Sequence, residues 1–310
     1  MLIPLFAVFA ALGSATSATR PPAPLPAAVQ PSVPAVVGTD WLAAHITDPN
    51  IVVLTVVHAE EEYRRGHIAG SRSARYEDFV VEESGPLSLS AEVPSLEVVE
   101  AALERLGVTD RSHVVVTGSA MMAARVFYTL EYVGLPRVSM LDGGLTKWRA
   151  EGRAVGTEAP TTVARGGVTL RVRHDVHIEA DELRSLLGRK GIALFDTRSQ
   201  GEYDGTADRR GSPSFGHLPG ARRLEWQETM ANPREFHLKD RATLERMWAE
   251  RMAPGDTVIA YCWVGMRASV TYAISRALGY PVRMYDGSDE EWQKRGLPMT
   301  KDPVALRSVP

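Results

Sequence analysis

Apolar and polar positions in the second half of the chain follow two periods in turn. The runs "GIALFD" (191–196), "DTVIAY" (256–261) and "PVRMYD" (281–286) are short, apolar and strand-like. Between them, residues 180–187 and 241–252 read as helices. Val270, Ile274, Ala277 and Leu278 then recur at helical spacing until Gly279 stops the helix, and "SDEEWQKRG" (288–296) supplies one more short helix. Strands of four to six residues separated by helices predict an α/β fold: a mostly parallel sheet flanked by helices on both faces.

The pattern is written twice. Asp286-Gly287, Trp292 and Gly296 match Asp142-Gly143, Trp148 and Gly152 at a constant offset of 144 residues. At that offset "VIAYCWVGMRASVTYAISRALGYPV" lies without a gap on "VVVTGSAMMAARVFYTLEYVGLPRV". Upstream, "GEYDGTADRRGSPSFGHLPGA" resembles "EEYRRGHIAGS" with an insertion between Tyr203 and His217. Two domains are therefore expected, at 38–155 and 175–300, joined by a polar linker over 156–174 and followed by a tail over 301–310. Units of this length are too long and too few for a solenoid.

Leu2 to Leu12 is an apolar run too short to span a bilayer, followed by the small residues Gly13 to Ala18 and then by a Pro-rich tract. Residues 1–18 are read as a signal peptide, with cleavage after Ala15 or Ala18, and 19–37 as an extended linker. The apolar run lacks a basic n-region, and no cysteine follows it to carry a lipid. The expectation is an exported protein, periplasmic or secreted, with no membrane span in its mature form; N-terminal sequencing reads the cleavage directly. A composition of 44% hydrophobic and 24% charged residues is that of a globular protein. A net charge of -3 gives no pull toward nucleic acid or anionic membranes.

One cysteine, Cys262, occurs in the whole chain. In an oxidising compartment it has no intramolecular partner, so it is either a buried small hydrophobe or a reactive thiol. Its place decides in favour of chemistry. It follows an apolar strand and precedes a helix, where ligands of open α/β sheets bind. Turn N–H groups and a helix N-terminus stabilise an anion there, so a thiolate would be nucleophilic near neutral pH. Arg267 closes the loop and can hold an anionic substrate, while Gly265 allows the tight path. In the first unit the same two slots hold Gly118 and Ala123, although the surrounding frame is kept. Folding alone does not require Cys262 and Arg267.

With these motifs in view, the chain resembles the tandem-domain rhodaneses, sulfurtransferases of the thiosulfate or 3-mercaptopyruvate type, over about residues 38–300. The resemblance rests on "FDTRSQGEY", "GHLPGA", "YCWVGMRAS" and "YDGSDEEW" in the second unit, with "EEYRRGHIAGS" and "LDGGLTKW" in the first. It implies a catalytically silent first domain and a catalytic second domain whose Cys262 becomes a persulfide. It also implies that loop N–H groups from Trp263 through Val264, Gly265, Met266 and Arg267 to Ala268 cradle that sulfur. The first unit fits the silent role, with Val56 where the second has Asp196. Related phosphatases use Cys-x5-Arg; here only four residues separate Cys262 from Arg267, which favours sulfur over phosphorus.

The implied reaction takes a sulfane sulfur from a small anionic donor to a thiophilic acceptor, such as cyanide or a thiol, and needs no cofactor and no metal. "CWVGMR" matches neither the Cys-Arg-Lys-Gly loop associated with thiosulfate nor the Cys-Gly-Ser-Gly loop associated with mercaptopyruvate. Glu202 stands where some thiosulfate enzymes place an arginine; Arg198, Arg209, Arg210 and Arg222 are the candidate substitutes, Arg198 foremost. Trp263 can pack over an apolar substrate or fill a wall. Asp196 either supports the active loop or caps a helix. His67, His217, Trp148 and Trp292 recur in both units and read as structural, and Asp142 and Asp286 read as turns. Two rival functions stay open: a persulfide carrier fed by a protein partner, and a cysteine phosphatase.

Overall fold

Residues 32–207 and 215–308 are described by a computed structural model of the chain. The expected signal peptide, Arg209 and Arg210 lie outside the described residues. In the first unit five strands form one parallel sheet, in the order Val36–Gly38, Val138–Asp142, His113–Thr117, Ile51–Val57 and Arg72–Arg75. The second sheet is also parallel, ordered Val282–Met284, Thr257–Tyr261, Ile192–Asp196 and Arg222–Arg223. Its fifth position is reduced to a bridge between His177 and Met284. The central strands His113–Thr117 and Thr257–Tyr261 are almost wholly buried, as expected of parallel strands covered on both faces.

The recurrent residues do in both units what their recurrence suggested. His67 stacks on Tyr63 with ring centroids 3.6 Å apart, and His217 on Tyr203 at 3.7 Å. The indoles of Trp148 and Trp292 are buried, and each donates to a backbone carbonyl 2.8 Å away. The segment 156–174 runs along the first unit, with Arg171 and Arg173 N–H groups bonded to Val133 and Tyr132 carbonyls. The tail is held as well: Thr300 pairs with His217, and Arg307 donates to Met252 O.

One hydrophobic cluster runs through both units, so they share a core. Its centre is the contact between the helices Ala120–Tyr132 and Met266–Leu278, which the repeat makes equivalent. Tyr128 meets Tyr272 edge-on at 5.1 Å, and Glu131 accepts from both Tyr272 and Arg276 inside this contact. Each unit also reaches over the other. The hairpin Met230–Leu238 of the second unit lies on the first, with Glu235 bridged to Ser119 and its carboxylate on Thr146 N–H at 2.8 Å. In return, Ser90 N–H of the first unit bonds Glu290 of the second at 2.8 Å.

A cavity of about 450 Å³ lies between the units, lined by Glu83, Glu92, His177, Tyr285, Asp286 and Glu291 among others. Burial, reinforced by the Asp286 charge, pushes the Glu92 carboxyl up from 4.5 to about 9. The folded state therefore holds this proton more tightly than the unfolded chain does, and stability falls as pH rises through that window. Glu92→Gln is expected to melt together with wild type at the acid end of the window and above it at the alkaline end. A gap in melting temperature that does not change with pH would contradict this.

Candidate active site

The strand Thr257–Tyr261 ends in the middle of its sheet, and the chain turns at Cys262 to enter the helix Met266–Leu278. Gly265 makes the turn possible: its φ of +76° is a backbone state open to glycine and strained for other residues. A second segment anchors the loop from below. The Ser288 hydroxyl accepts from Cys262 N–H at 3.2 Å and from Gly265 N–H at 3.1 Å, while donating to Tyr285 O at 2.8 Å. The Cys262 and Trp263 carbonyls accept from Asp289 and Glu290 N–H groups at the start of the helix Ser288–Lys294. With its two ends and two carbonyls fixed, the loop can present its remaining amides, and those of the helix's first turn, to a ligand. First-turn N–H groups have no intrahelical acceptor.

Cys262 is buried, at 1% exposure, and lines a cleft of about 700 Å³. Val264, Met266 and Arg267 line it from the loop; Trp226, Glu202 and Glu225 line it from the rest of the unit. Met121 of the first unit closes the far wall, and Tyr76 of that unit touches Met266. The described walls are largely apolar, with charge confined to one side.

The arginine on that side is already paired. Both Arg267 Nη atoms donate to the Glu202 carboxylate, at 2.7 and 2.8 Å. Burial works to raise the Glu202 pKa, but the Arg267 guanidinium and the Ser199 hydroxyl outweigh it and hold the carboxyl at about 2. Burial likewise opposes the Arg267 charge, and Glu202 more than offsets it. Glu202 is fixed in turn by a reciprocal cap: it is the third residue of the helix Gln200–Asp204, and Ser199 and Glu202 bond each other's backbone N–H.

Three expectations about side chains need correcting. Arg198 does not line the cleft. It is fully buried, and its guanidinium is held by Asp196 at 2.6 Å, Asp289 at 2.8 Å and Gly216 O at 2.7 Å. Asp196 does not bond the loop itself either; it accepts from Tyr261 Oη at 2.6 Å, just before Cys262, and pairs with Arg198, which holds Asp289, whose N–H bonds the Cys262 carbonyl. Trp263 is half-buried and is not among the described residues that line the cleft. Gly265 and Ala268 are buried and can act only through their backbone, and Arg222 donates to Arg251 O away from the cleft. Two functional partners were missed: Glu202 as the counter-ion of Arg267, and the side chains of the first unit.

Comparison with known proteins places this geometry. A family model described as "Rhodanese-like domain" matches residues 38–151 and again 179–295. The thiosulfate sulfurtransferase of Azotobacter vinelandii is 31% identical over 264 residues, covering 84% of this chain and 94% of its own. The sulfur carrier protein TtuD of Thermus thermophilus is 30% identical over 292 residues, covering 86% and 96%. Among solved structures, SseA from Escherichia coli, a 3-mercaptopyruvate sulfotransferase, superposes with a TM-score of 0.68 at 26% identity, covering 83% of this chain and 99% of that one.

Proposed function

Since the chain belongs to the rhodanese family as a two-domain sulfurtransferase, we propose that Cys262 carries the sulfur as a persulfide, with a small anionic donor, thiosulfate or 3-mercaptopyruvate. The observation that supports this most is the seat of the only cysteine, at a strand end inside a cleft, beneath the first turn of a helix. The Cys262 thiolate attacks the outer sulfur of the donor. An S–S bond forms, the donor's bond to that sulfur breaks, and its electron pair leaves with sulfite or with the pyruvate carbanion, which takes a proton. A thiophilic acceptor, cyanide or a thiol, then attacks the outer sulfur and returns Cys262 to the thiolate.

The balance of charge in the cleft bears on the donor. A thiosulfate dianion meets an arginine that Glu202 already neutralises, with Glu225 nearby; the monoanionic 3-mercaptopyruvate meets less repulsion. Thiocyanate formation from cyanide is therefore expected to show a higher kcat/KM with 3-mercaptopyruvate than with thiosulfate. Glu202→Gln frees the Arg267 charge and is expected to lower KM for thiosulfate by about three- to tenfold. Equal use of both donors, untouched by this substitution, would remove the charge argument. Inertness toward both would move the function to a persulfide carrier, a reading that the apolar cleft walls and the likeness to TtuD also favour.

A further inference from the structure

The silent unit sends one charged side chain under the catalytic loop. Arg125, on the helix Ala120–Tyr132, is fully buried and donates from Nη1 and Nη2 to the two carboxylate oxygens of Asp286 in the second unit. A third bond goes to Ala91 O, and the guanidinium lies 5.5 Å from the centre of the Tyr128 ring. The pair sits directly against Gly265. A Cβ at that glycine would meet Asp286 Oδ1 and would come within 2.8 Å of Arg125 Nη1. Two residues beyond Asp286 is Ser288, whose hydroxyl holds the N–H groups at both ends of the loop.

The repeat shows that the arginine is not part of the common frame. At the offset of 144 residues the position of Arg125 is occupied in the second unit by Ser269, which bonds its own Gly265 carbonyl. The aspartate does recur, as Asp142, but there it accepts a backbone N–H from Leu238 instead. A charged clamp therefore exists only under the loop that carries the cysteine, and the unit without the cysteine provides it.

We infer that Arg125 is a positioning residue for the reaction, holding the Asp286–Ser288 segment, and through it the left-handed turn at Gly265, in the geometry that presents Cys262 and the loop amides. This rests on the reading of Cys262 as nucleophile. Loss of Arg125 would let the loop shift by a fraction of an ångström, which weakens transition-state contacts more than donor binding.

Arg125→Met is expected to lower kcat for sulfur transfer by about tenfold or more, with KM within about twofold. Hydrogen exchange should quicken in peptides spanning 262–268 while the strands of both sheets keep their protection. Arg125→Lys should restore part of the rate. Breaking a buried ion pair also destabilises a fold. The double variant Arg125→Met with Asp286→Asn therefore removes both charges, and it too is expected to stay slow. Wild-type kcat in the double variant, or unchanged loop exchange in a folded variant, would overturn the assignment. Hydrogen exchange needs no sulfur donor, so it decides the clamp even if wild type transfers sulfur from neither donor.

Discussion

Cys262→Ser is expected to abolish sulfur loading. Wild-type protein exposed briefly to donor without reductant should gain one sulfur atom by intact mass, which cyanide should remove; the variant should gain none under the same conditions. Turnover is expected to fall by at least about four orders of magnitude, because a hydroxyl at that position is neither ionised nor able to hold sulfane sulfur, and no second thiol exists to replace it. The substitution changes one atom at a buried site, so the melting temperature should stay close to that of wild type. Sulfur gained by the serine variant would place the acceptor elsewhere and end the persulfide reading. The experiment also separates loading from turnover: a wild type that gains sulfur yet hands it to no small acceptor is a carrier.

Arg198→Met has the largest expected effect on stability. It strands Asp196 and Asp289, both fully buried and both paired with this one guanidinium. Leaving buried carboxylates without their partner costs about 3–5 kcal/mol, a fall in Tm on the order of ten degrees. Burial, helped by Asp196, already raises the Asp289 carboxyl from 3.8 to about 7, with Arg198 opposing the rise. Without the arginine, the Asp289 carboxyl favours the protonated form still more in the folded state. Wild-type Asp289 gives up its proton in the folded state at about pH 7, whereas in the variant it holds the proton longer, so the deficit of the variant should widen as pH rises through about 7. A folded variant of normal Tm but raised donor KM would instead return Arg198 to the substrate.

The second prediction reverses an expectation from the sequence, and the reason is general. Strand ends, the helix after the loop, the lone thiol and the doubled frame are all written in local periodicity and in the comparison of one half of the chain with the other. A buried arginine is not. Arg198 and Arg267 look alike in a sequence, and only the fold shows that one meets two buried acids while the other faces a cleft. Glu202 is legible as a departure from the donor-binding arginine but not as a counter-ion: its equivalent Glu62 accepts from His58 N–H in a unit that has Ala123 in the place of Arg267. The Arg125–Asp286 clamp joins positions 161 residues apart on different units, a distance no periodic pattern spans. The turn residue Asp286 was recognised for its local role, and its larger one came from the neighbour.

The hairpin Met230–Leu238 bears on the history of the chain. By the repeat, substitutions at Gly118 and Ala123 would write a cysteine and an arginine into the first unit. The fold opposes that change. A Cβ at Gly118 would press on the Val56 carbonyl at 2.8 Å, and the bridge from Glu235 to Ser119 already covers the start of the equivalent helix. Two copies of one frame are now bound to each other, with the hairpin of one half lying on the loop position of the other.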